Sequence, residues 1–184
     1  MKTFSRLARL MAASTLTWAC LAGTAAAGSL PAEVQAKVDK ARKHLVEMAS
    51  DPAVLAAVRE ANGHDAGGMN NGKWIELPDT DPAVKAALTT KISQQIAKWE
   101  QADDTVNKII LRDQKGNLIA ASVRPLIFNN ANRPVFANAI KGQPWNAEEI
   151  KPDTSTQIPS VHVSAPVMDG GKAIGVLHAG VTAK

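Results

Sequence analysis

The sequence predicts a single α+β domain in which helices come first and an antiparallel sheet follows. Apolar residues recur at helical spacing up to about Asp103, whereas the remainder contains two pairs of strand-like runs folded at glycine-containing turns. An irregular segment rich in proline and asparagine, 124–160, separates the two pairs. The 184 residues, 45% of them hydrophobic, suffice for one domain with its own core.

Three helices are predicted in the N-terminal half. The first begins after Pro31 and carries one apolar stripe, formed by Val34, Val38, Ala41, Leu45 and Met48. Ser50-Asp51-Pro52 supplies a cap and a first-turn proline for the second helix, which ends at the glycine-rich linker 63–72. Asp81-Pro82 repeats this start signal for a third helix, which runs to about Trp99 and should bury that side chain in the core.

Two antiparallel hairpins are predicted in the C-terminal half, closed by the turns 113–117 and 169–172. Their strands are 106–112, 118–123, 161–167 and 173–182. Between the hairpins, 124–160 holds a short helix near 134–140 and otherwise lacks regular structure. Long segments of this kind more often cover a binding site than form a loop without function. Residues 124–160 are therefore called the cover.

Several short motifs follow one another in this half. Asp153-Thr154-Ser155 precedes a strand that ends in Pro166-Val167, the turn Asp169-Gly170-Gly171 follows, and Ile174-Gly175 opens the last strand. The earlier hairpin carries an Asp-x-x-Gly turn at 113–116. In this order and spacing the motifs resemble those of bacterial extracytoplasmic Cache (PDC) sensor domains, a PAS-like family.

The resemblance covers most of 31–184 and implies a PAS/Cache-like antiparallel sheet of four to five strands, a long N-terminal helix and a helical cover. It also implies a small ligand, a carboxylate or an amino acid, held between sheet and cover. Many members carry an aromatic- and acid-rich segment where this chain has 124–130, so the ligand type stays open. The chain ends at Lys184, where membrane-bound members continue. We therefore expect a free-standing domain that acts through a partner, such as a membrane sensor kinase, a chemoreceptor or a transporter.

The N-terminus has the features of an export signal. Lys2, Arg6 and Arg9 precede the apolar stretch 10–21, which is too short to span a membrane, and Ala25-Ala26-Ala27 fits the A-x-A cleavage rule. We expect a signal peptide at 1–27 and a single mature domain at 28–184, soluble in the periplasm. The alternative is a lipoprotein signal ending at Cys20.

Removal of this segment changes the class of partner that the charge indicates. The formal net charge of the whole chain is +4, but three basic residues lie in the signal, which leaves 18 Lys plus Arg against 17 Asp plus Glu. A near-neutral chain lacks the basic surface that nucleic-acid binding needs. The mature chain would also lack cysteine, because Cys20 is the only one, so we expect neither disulfides nor thiolate chemistry.

Two histidines are candidates for ligand binding. If the last two strands pair through 169–172, His162 and His178 lie on one face of the sheet and could bind an anion or a metal. The competing interpretation places one or both at a solvent edge or in the core. No third metal ligand is evident, so no metal site and no catalytic residue are predicted.

The cover supplies four further candidates. Arg124 and Arg133 could grip a carboxylate with paired hydrogen bonds, and Trp145 could line the pocket. Asp153, at the position that matches the family's Asp-x-Ser step, could accept a ligand ammonium group. On this basis, Arg124→Ala should weaken carboxylate binding by roughly 1.5–3 kcal/mol, the range for a hydrogen bond to a charged group.

Enzyme classes find little support in the motifs. Ser164, His162 and Asp169 lie close in sequence but lack a nucleophile elbow and an oxyanion segment. No Walker loop, dinucleotide fingerprint or His-Glu-x-x-His is present. No cofactor is therefore predicted. Two alternatives to the small-ligand interpretation remain: a noncovalent haem or flavin in a PAS-like cavity, and a homodimeric interaction protein without a ligand that uses the first helix as its seam.

Overall fold

The computed structural model describes residues 30–184, so the predicted signal peptide, 1–27, lies outside the described residues. Within 30–184 the helices that precede the sheet are α1 (Ala32–Ala49), α2 (Pro52–Asn62), α3 (Asn71–Glu76), α4 (Pro82–Thr89) and α5 (Lys91–Gln101). The strands are β1 (Val106–Asp113), β2 (Leu118–Ala121), β3 (Trp145–Asn146), β4 (Lys151–Pro152), β5 (Pro159–Asp169) and β6 (Lys172–Thr182). Between β2 and β3 lie α6 (Pro134–Ala137) and one turn of 3-10 helix (Ala139–Lys141).

The strands form one antiparallel sheet in the order β2-β1-β6-β5-β3, and β4 also pairs with β5. The α+β class and both predicted hairpins are confirmed. The described residues contain six strands instead of the predicted four to five, because β3 and β4 are two-residue strands within the cover. The sequence could not indicate these, since two residues carry no periodicity.

The helical half differs from its prediction in two places. The third predicted helix is two helices, because Thr90 leaves the helical conformation and its hydroxyl caps α5 by accepting from the Ser93 backbone N–H at 3.3 Å. Ser93 Oγ in turn donates to the Ala87 carbonyl near the end of α4. Hydroxyl side chains compete in this way with helical backbone bonds. The linker also contains α3, capped by Asn70, which was not predicted.

The two faces of the sheet have different compositions. One face packs on the helices, with α1 against β5 and β6 and α5 against β1. The apolar cluster at this face includes Ile109, Leu111, Val161, Val163, Leu177, Ala179 and Val181. Trp99 packs against the same cluster, as predicted. The alternate residues of the same strands face the opposite side of the sheet, where Ile110 pairs with His178 and His178 pairs with Ser164. This second face is the polar one, and the cover lies over it.

The β1–β2 turn fixes the start of the cover. Gly116 has φ +82°, and a Cβ at this position would lie 2.7 Å from the backbone nitrogen of Ala131. The carbonyl of Gly116 accepts from the Asn130 N–H at 3.1 Å. Glycine therefore serves both the turn conformation and the close contact that brings 129–131 over the sheet.

Candidate functional site

A cavity of about 490 Å³ lies between the polar face of the sheet and the cover. Small-ligand sites span about 300–1,000 Å³, so the volume suits a small organic molecule. Alternate residues of β1 (Lys108, Ile110 and Arg112) together with His162 and His178 form its floor, because registered residues on neighbouring antiparallel strands share a face. Residues 125–135 and 145–155 supply the walls.

Arg112 is the buried cation of this floor, with 1% of its surface exposed. Its Nη1 donates to the carbonyls of Gly116 and Phe128, and its Nη2 donates to the carbonyl of Ile127 at 3.2 Å. Its Nε donates to Nε2 of His178 at 3.2 Å. Among residues 30–184, no carboxylate forms an ion pair with it. The guanidinium is thus hydrogen-bonded but not neutralised.

His178 is held in one tautomer by this contact. An arginine can only donate, so Nε2 of His178 accepts and the ring proton lies on Nδ1. Asn130 Nδ2 lies 3.4 Å from the same Nε2, which leaves the amide oxygen of Asn130 turned away. His178 Nδ1 and Asn130 Oδ1 are both buried without a hydrogen-bond partner among the described residues. Both residues line the cavity, but these two atoms are themselves closed off from it.

A second buried cluster lies beside the first and consists of Lys108, Asp153 and His162. The Asp153 side chain is fully buried, and its Oδ2 contacts Lys108 Nζ and lies 2.7 Å from His162 Nε2. Its Oδ1 accepts from the backbone N–H groups of Ser155 and Thr156 at 2.9 and 3.0 Å. Every oxygen of this carboxylate is therefore occupied by the chain itself.

The electrostatics of the two clusters follow from burial and from their partners. Burial lowers the pKa of Arg112 to about 9, opposed by the charge of Asp113. The pKa of His178 lies well below its usual value because of burial and the neighbouring Arg112 and Lys108. Burial alone would raise the pKa of Asp153, but hydrogen bonds from His162 and Lys108 outweigh it and hold that pKa well below its usual range. At neutral pH the floor thus contains neutral His178, one closed ion pair and one uncompensated guanidinium.

Four of the six residues selected from the sequence line this one cavity: Arg133, Trp145, His162 and His178. Both imidazoles are on the same face, as the alternation of β5 and β6 indicated. His178 is buried, whereas the His162 side chain is 36% exposed. Asp153 is not among the lining residues, since its carboxylate lies beneath Lys108 and His162. Asp153 therefore holds Lys108 and His162 in position and has no free oxygen for a ligand ammonium group.

Arg124 lies away from the cavity. Its guanidinium stacks over the ring of Trp74, with 5.4 Å from Cζ to the ring centroid, and pairs with Asp79. Its Nη2 donates to the carbonyls of Trp74 and Leu77 at 2.9 and 2.8 Å. The residue therefore ties the cover to the α3 region.

Arg124→Ala is accordingly expected to lower stability and to leave ligand affinity unchanged within about threefold, contrary to the expectation from sequence. The lost hydrogen bonds and the stacking on Trp74 should reduce the free energy of unfolding by roughly 1–2 kcal/mol. Urea unfolding and calorimetry on the same variant check both statements. A tenfold loss of affinity in a folded protein would return Arg124 to the site.

The residues that sequence reasoning missed are Lys108, Arg112 and Asn130. The first two lie on one face of β1, on either side of the apolar run 109–111, and this was the available signal: cations that flank such a run in a buried strand need a partner or a function. Asn130 gave no signal of its own, because asparagines are frequent in the loop around it.

The histidines of the cavity are already engaged in hydrogen bonds. Among the described residues, no three His, Cys, Asp or Glu side chains come together as a metal-ligand group. Nε2 of both cavity histidines is already engaged, with Asp153 in one case and Arg112 in the other.

No protein-family model matches the chain, and no curated protein matches it. Among solved structures, it is similar to the sensor domain of the V. cholerae histidine kinase DctB, at 19% identity and a TM-score of 0.44. It is also similar to the ligand-binding domain of the Pseudomonas aeruginosa PAO1 amino acid chemoreceptor PctC in complex with GABA, at 15% identity and 0.42. These two matches cover 82% of this chain and 55% and 54% of the other chains, so it spans about half their length.

A third similar structure belongs to a different functional class. It is the type II free methionine-R-sulfoxide reductase from Thermoplasma acidophilum, at 14% identity and a TM-score of 0.39, covering 50% of this chain and 72% of that one. The first two structures are the sensor domain of a histidine kinase and the ligand-binding domain of a chemoreceptor. In the part of the chain that the structure describes, none of the helices is long and apolar enough to cross a membrane.

Proposed function

We infer that the protein is a sensor-type binding domain that holds a small carboxylate or amino acid between its sheet and its cover. The observation that carries this proposal is Arg112: a buried guanidinium on a cavity floor, without a carboxylate partner in residues 30–184. A buried charge without a counter-charge costs several kcal/mol, and a bound carboxylate would remove that cost. Four of the five N–H groups of Arg112 already donate to the chain, so one Nη2 N–H is available to a ligand carboxylate.

The surroundings of Arg112 support an organic ligand over a simple ion. Pro125, Ile127 and Val135 give the cavity apolar walls, and Trp145 adds an aromatic surface. Specific small-molecule sites combine such walls with a few fixed polar groups. Arg133, which lines the cavity from the residue before α6, is exposed and adds positive charge along the cover.

We expect signalling or delivery of the ligand to depend on a second protein. A membrane sensor kinase, a chemoreceptor or a transporter would serve as that partner. The cover is the element that connects the ligand to the surface, since the carbonyls of Ile127 and Phe128 are bonded to Arg112 itself. A ligand that draws on this guanidinium would change how the cover is held.

A thermal-shift screen of the purified protein against organic acids, amino acids and haem tests the proposal. A ligand at 100 times its dissociation constant adds about 2.7 kcal/mol of stability, which is readily seen as a raised Tm. We expect a shift from one or more carboxylates. Absence of any shift from carboxylates, together with a concentration-dependent dimer, would favour the interaction-protein alternative. A shift from haem alone would favour the cofactor alternative.

Periplasmic location is the second part of the proposal, and the N-terminal residues carry it. After expression in a Gram-negative bacterium, we expect the mature protein to begin near Gly28 and to appear in the soluble periplasmic fraction. Fractionation with N-terminal sequencing measures both. Recovery in the membrane fraction with lipid on Cys20 would overturn it in favour of a lipoprotein.

A further inference from the structure

The two histidines of the cavity floor carry their protons on different ring nitrogens. The ionised carboxylate of Asp153 only accepts hydrogen bonds, so Nε2 of His162, 2.7 Å from it, carries a proton and Nδ1 carries none. In His178 the arrangement is reversed, because Nε2 accepts from Nε of Arg112 and the proton lies on Nδ1. A second proton would therefore go to Nδ1 in His162 and to Nε2 in His178.

The two ring nitrogens that lack a proton have different surroundings. In His178 this nitrogen already accepts from Arg112, so a proton there would point at an N–H group of a cation. Burial and the charges of Arg112 and Lys108 accordingly lower the pKa of His178 well below its usual value. The side chain of His162 is 36% exposed, and within the described part of the chain no hydrogen bond occupies its Nδ1. Of the two, only His162 can gain a proton and keep every contact that it makes.

The sheet register sets the charge around His162. Lys108 and His162 both pair in register with Gly180, which has no side chain, and both reach Oδ2 of Asp153. The positive charge of Lys108 is cancelled by that carboxylate. This end of the floor is therefore neutral when His162 is neutral and carries one positive charge when His162 is protonated. Histidine is the side chain that ordinarily makes this change between about pH 5 and 8.

The other charged groups of the cavity keep their charge over this pH interval. Arg112 lies on the floor with a pKa of about 9, above the interval. Four exposed residues of the cover line the walls: Arg133, Glu148, Glu149 and Lys151. The last two pair with each other at 2.6 Å. Carboxylates, ammonium groups and guanidinium groups ordinarily titrate outside this interval. Among the described residues that line the cavity, His162 is thus the one whose charge follows the pH.

We propose that His162 is a proton-dependent anion-binding residue: the cavity binds a carboxylate more tightly as the pH falls from about 8 to about 5.5, and binding places a proton on His162. The inference rests on the proposed function, because it requires an anion in the cavity that His162 lines. A protonated imidazole attracts a carboxylate in the same cavity, and by linkage the bound carboxylate favours the protonated imidazole to the same extent. The proton comes from the solvent that reaches the exposed side of the ring.

NMR of the unmodified protein tests the protonation states without any ligand. Long-range 1H–15N spectra distinguish the Nδ1–H, Nε2–H and charged forms of the four histidines in the chain. At about pH 8 we expect Nε2–H in His162 and Nδ1–H in His178, and at about pH 5.5 only His162 of these two should be charged. A neutral His162 or a charged His178 at the lower pH would overturn the proposal.

Calorimetry with named anions tests the link to binding. The probes are propionate, lactate and GABA, each titrated at about pH 5.5 and pH 8 and in two buffers of different ionisation enthalpy. The Kd of a probe that binds should be at least about threefold lower at the lower pH, and the buffer dependence should show uptake of up to one proton per ligand. An equal Kd at both pH values without proton uptake would contradict the proposal.

A substitution of the titrating group assigns the proton. His162→Gln keeps an amide N–H for Asp153 but does not titrate, so proton uptake should disappear and the two Kd values should agree within about twofold. His44→Gln is the matched control, because His44 lies on α1, 3.8 Å from Asp103 and outside the cavity, and this variant should retain the full pH dependence. Persistent proton uptake in folded His162→Gln would remove the role of His162. If that variant does not fold, the NMR titration of the unmodified protein decides.

The two proposals fail in different ways. If neither these probes nor the wider screen yields a carboxylate that binds, the proposed function fails and this inference fails with it. If a carboxylate binds without proton uptake on His162, the proposed function stands and only the proton-dependent role of His162 is overturned.

Discussion

Arg112→Met is expected to reduce carboxylate affinity by at least about 100-fold. Each hydrogen bond from a charged donor contributes roughly 1.5–3 kcal/mol, and without the guanidinium a buried ligand carboxylate would have no counter-charge on the cavity floor. Calorimetry with the tightest ligand from the screen measures the loss. Arg124→Met is the matched control, because it removes the same side chain outside the cavity and should retain affinity within about threefold.

The same substitution should also affect stability. The carbonyls of Gly116, Ile127 and Phe128 lose their donor, and an unsatisfied buried polar group costs about 1–3 kcal/mol, while removal of an unpaired buried charge offsets part of that cost. Arg112→Lys keeps the charge but not the fork, and its affinity should lie between those of the methionine variant and the unmodified protein. A folded Arg112→Met or Arg112→Lys protein with undiminished affinity would remove the guanidinium from the site.

Asp153→Asn is expected to have the largest effect on stability, a loss of about 3–5 kcal/mol, because it leaves Lys108 buried without its partner. Urea unfolding measures the loss. The double variant with Lys108→Met should recover a large part of it, since neither charge then remains. Asp169→Asn breaks the exposed pair with Arg59 and should scarcely change the unfolding midpoint.

The effect of Asp153 should depend on pH in a defined direction. Its pKa is lower in the folded protein than in the unfolded chain, where it is about 3.9. Its contribution to stability is thus fully present above that value and is lost as the pH falls below it. The difference in stability between the unmodified protein and Asp153→Asn should therefore shrink below about pH 4. A constant difference down to pH 2 would contradict the assignment.

Local patterns were sufficient to predict most of the fold. The alternation in β5 and β6, with a glycine pair between them, predicted the hairpin and the common face of His162 and His178. The helix break at Thr90 was missed because a hydroxyl cap between two amphipathic runs leaves the apolar spacing intact. Its effect depends on Ser93 reaching the end of the preceding helix, which is a three-dimensional relation.

Sequence reasoning selected several residues that line the cavity but did not select Arg112, the buried cation of its floor. Arg124 and Arg112 are both arginines near the ends of predicted strands, and only the presence of Lys108 in the same strand distinguishes Arg112 in the sequence. Arg124 lies outside because the path of the cover brings it against Trp74, a residue fifty positions earlier. Arg112 lies inside because β1 is central in the sheet, and that position depends on the pairing of β1 with β6 from the far end of the chain.

Successive residues of β5 face opposite sides of the sheet, and this affects how the sequence of such a protein can change in evolution. Ser160 and His162 line the cavity, whereas Val161 and Val163 between them are sealed in the core. A mutation at Ser160 or His162 changes the groups that line the cavity, whereas a mutation at Val161 or Val163 changes the packing of the core. Descendants of this chain can therefore acquire new ligand preferences by single substitutions along one strand, while the core that their folding depends on is inherited unchanged.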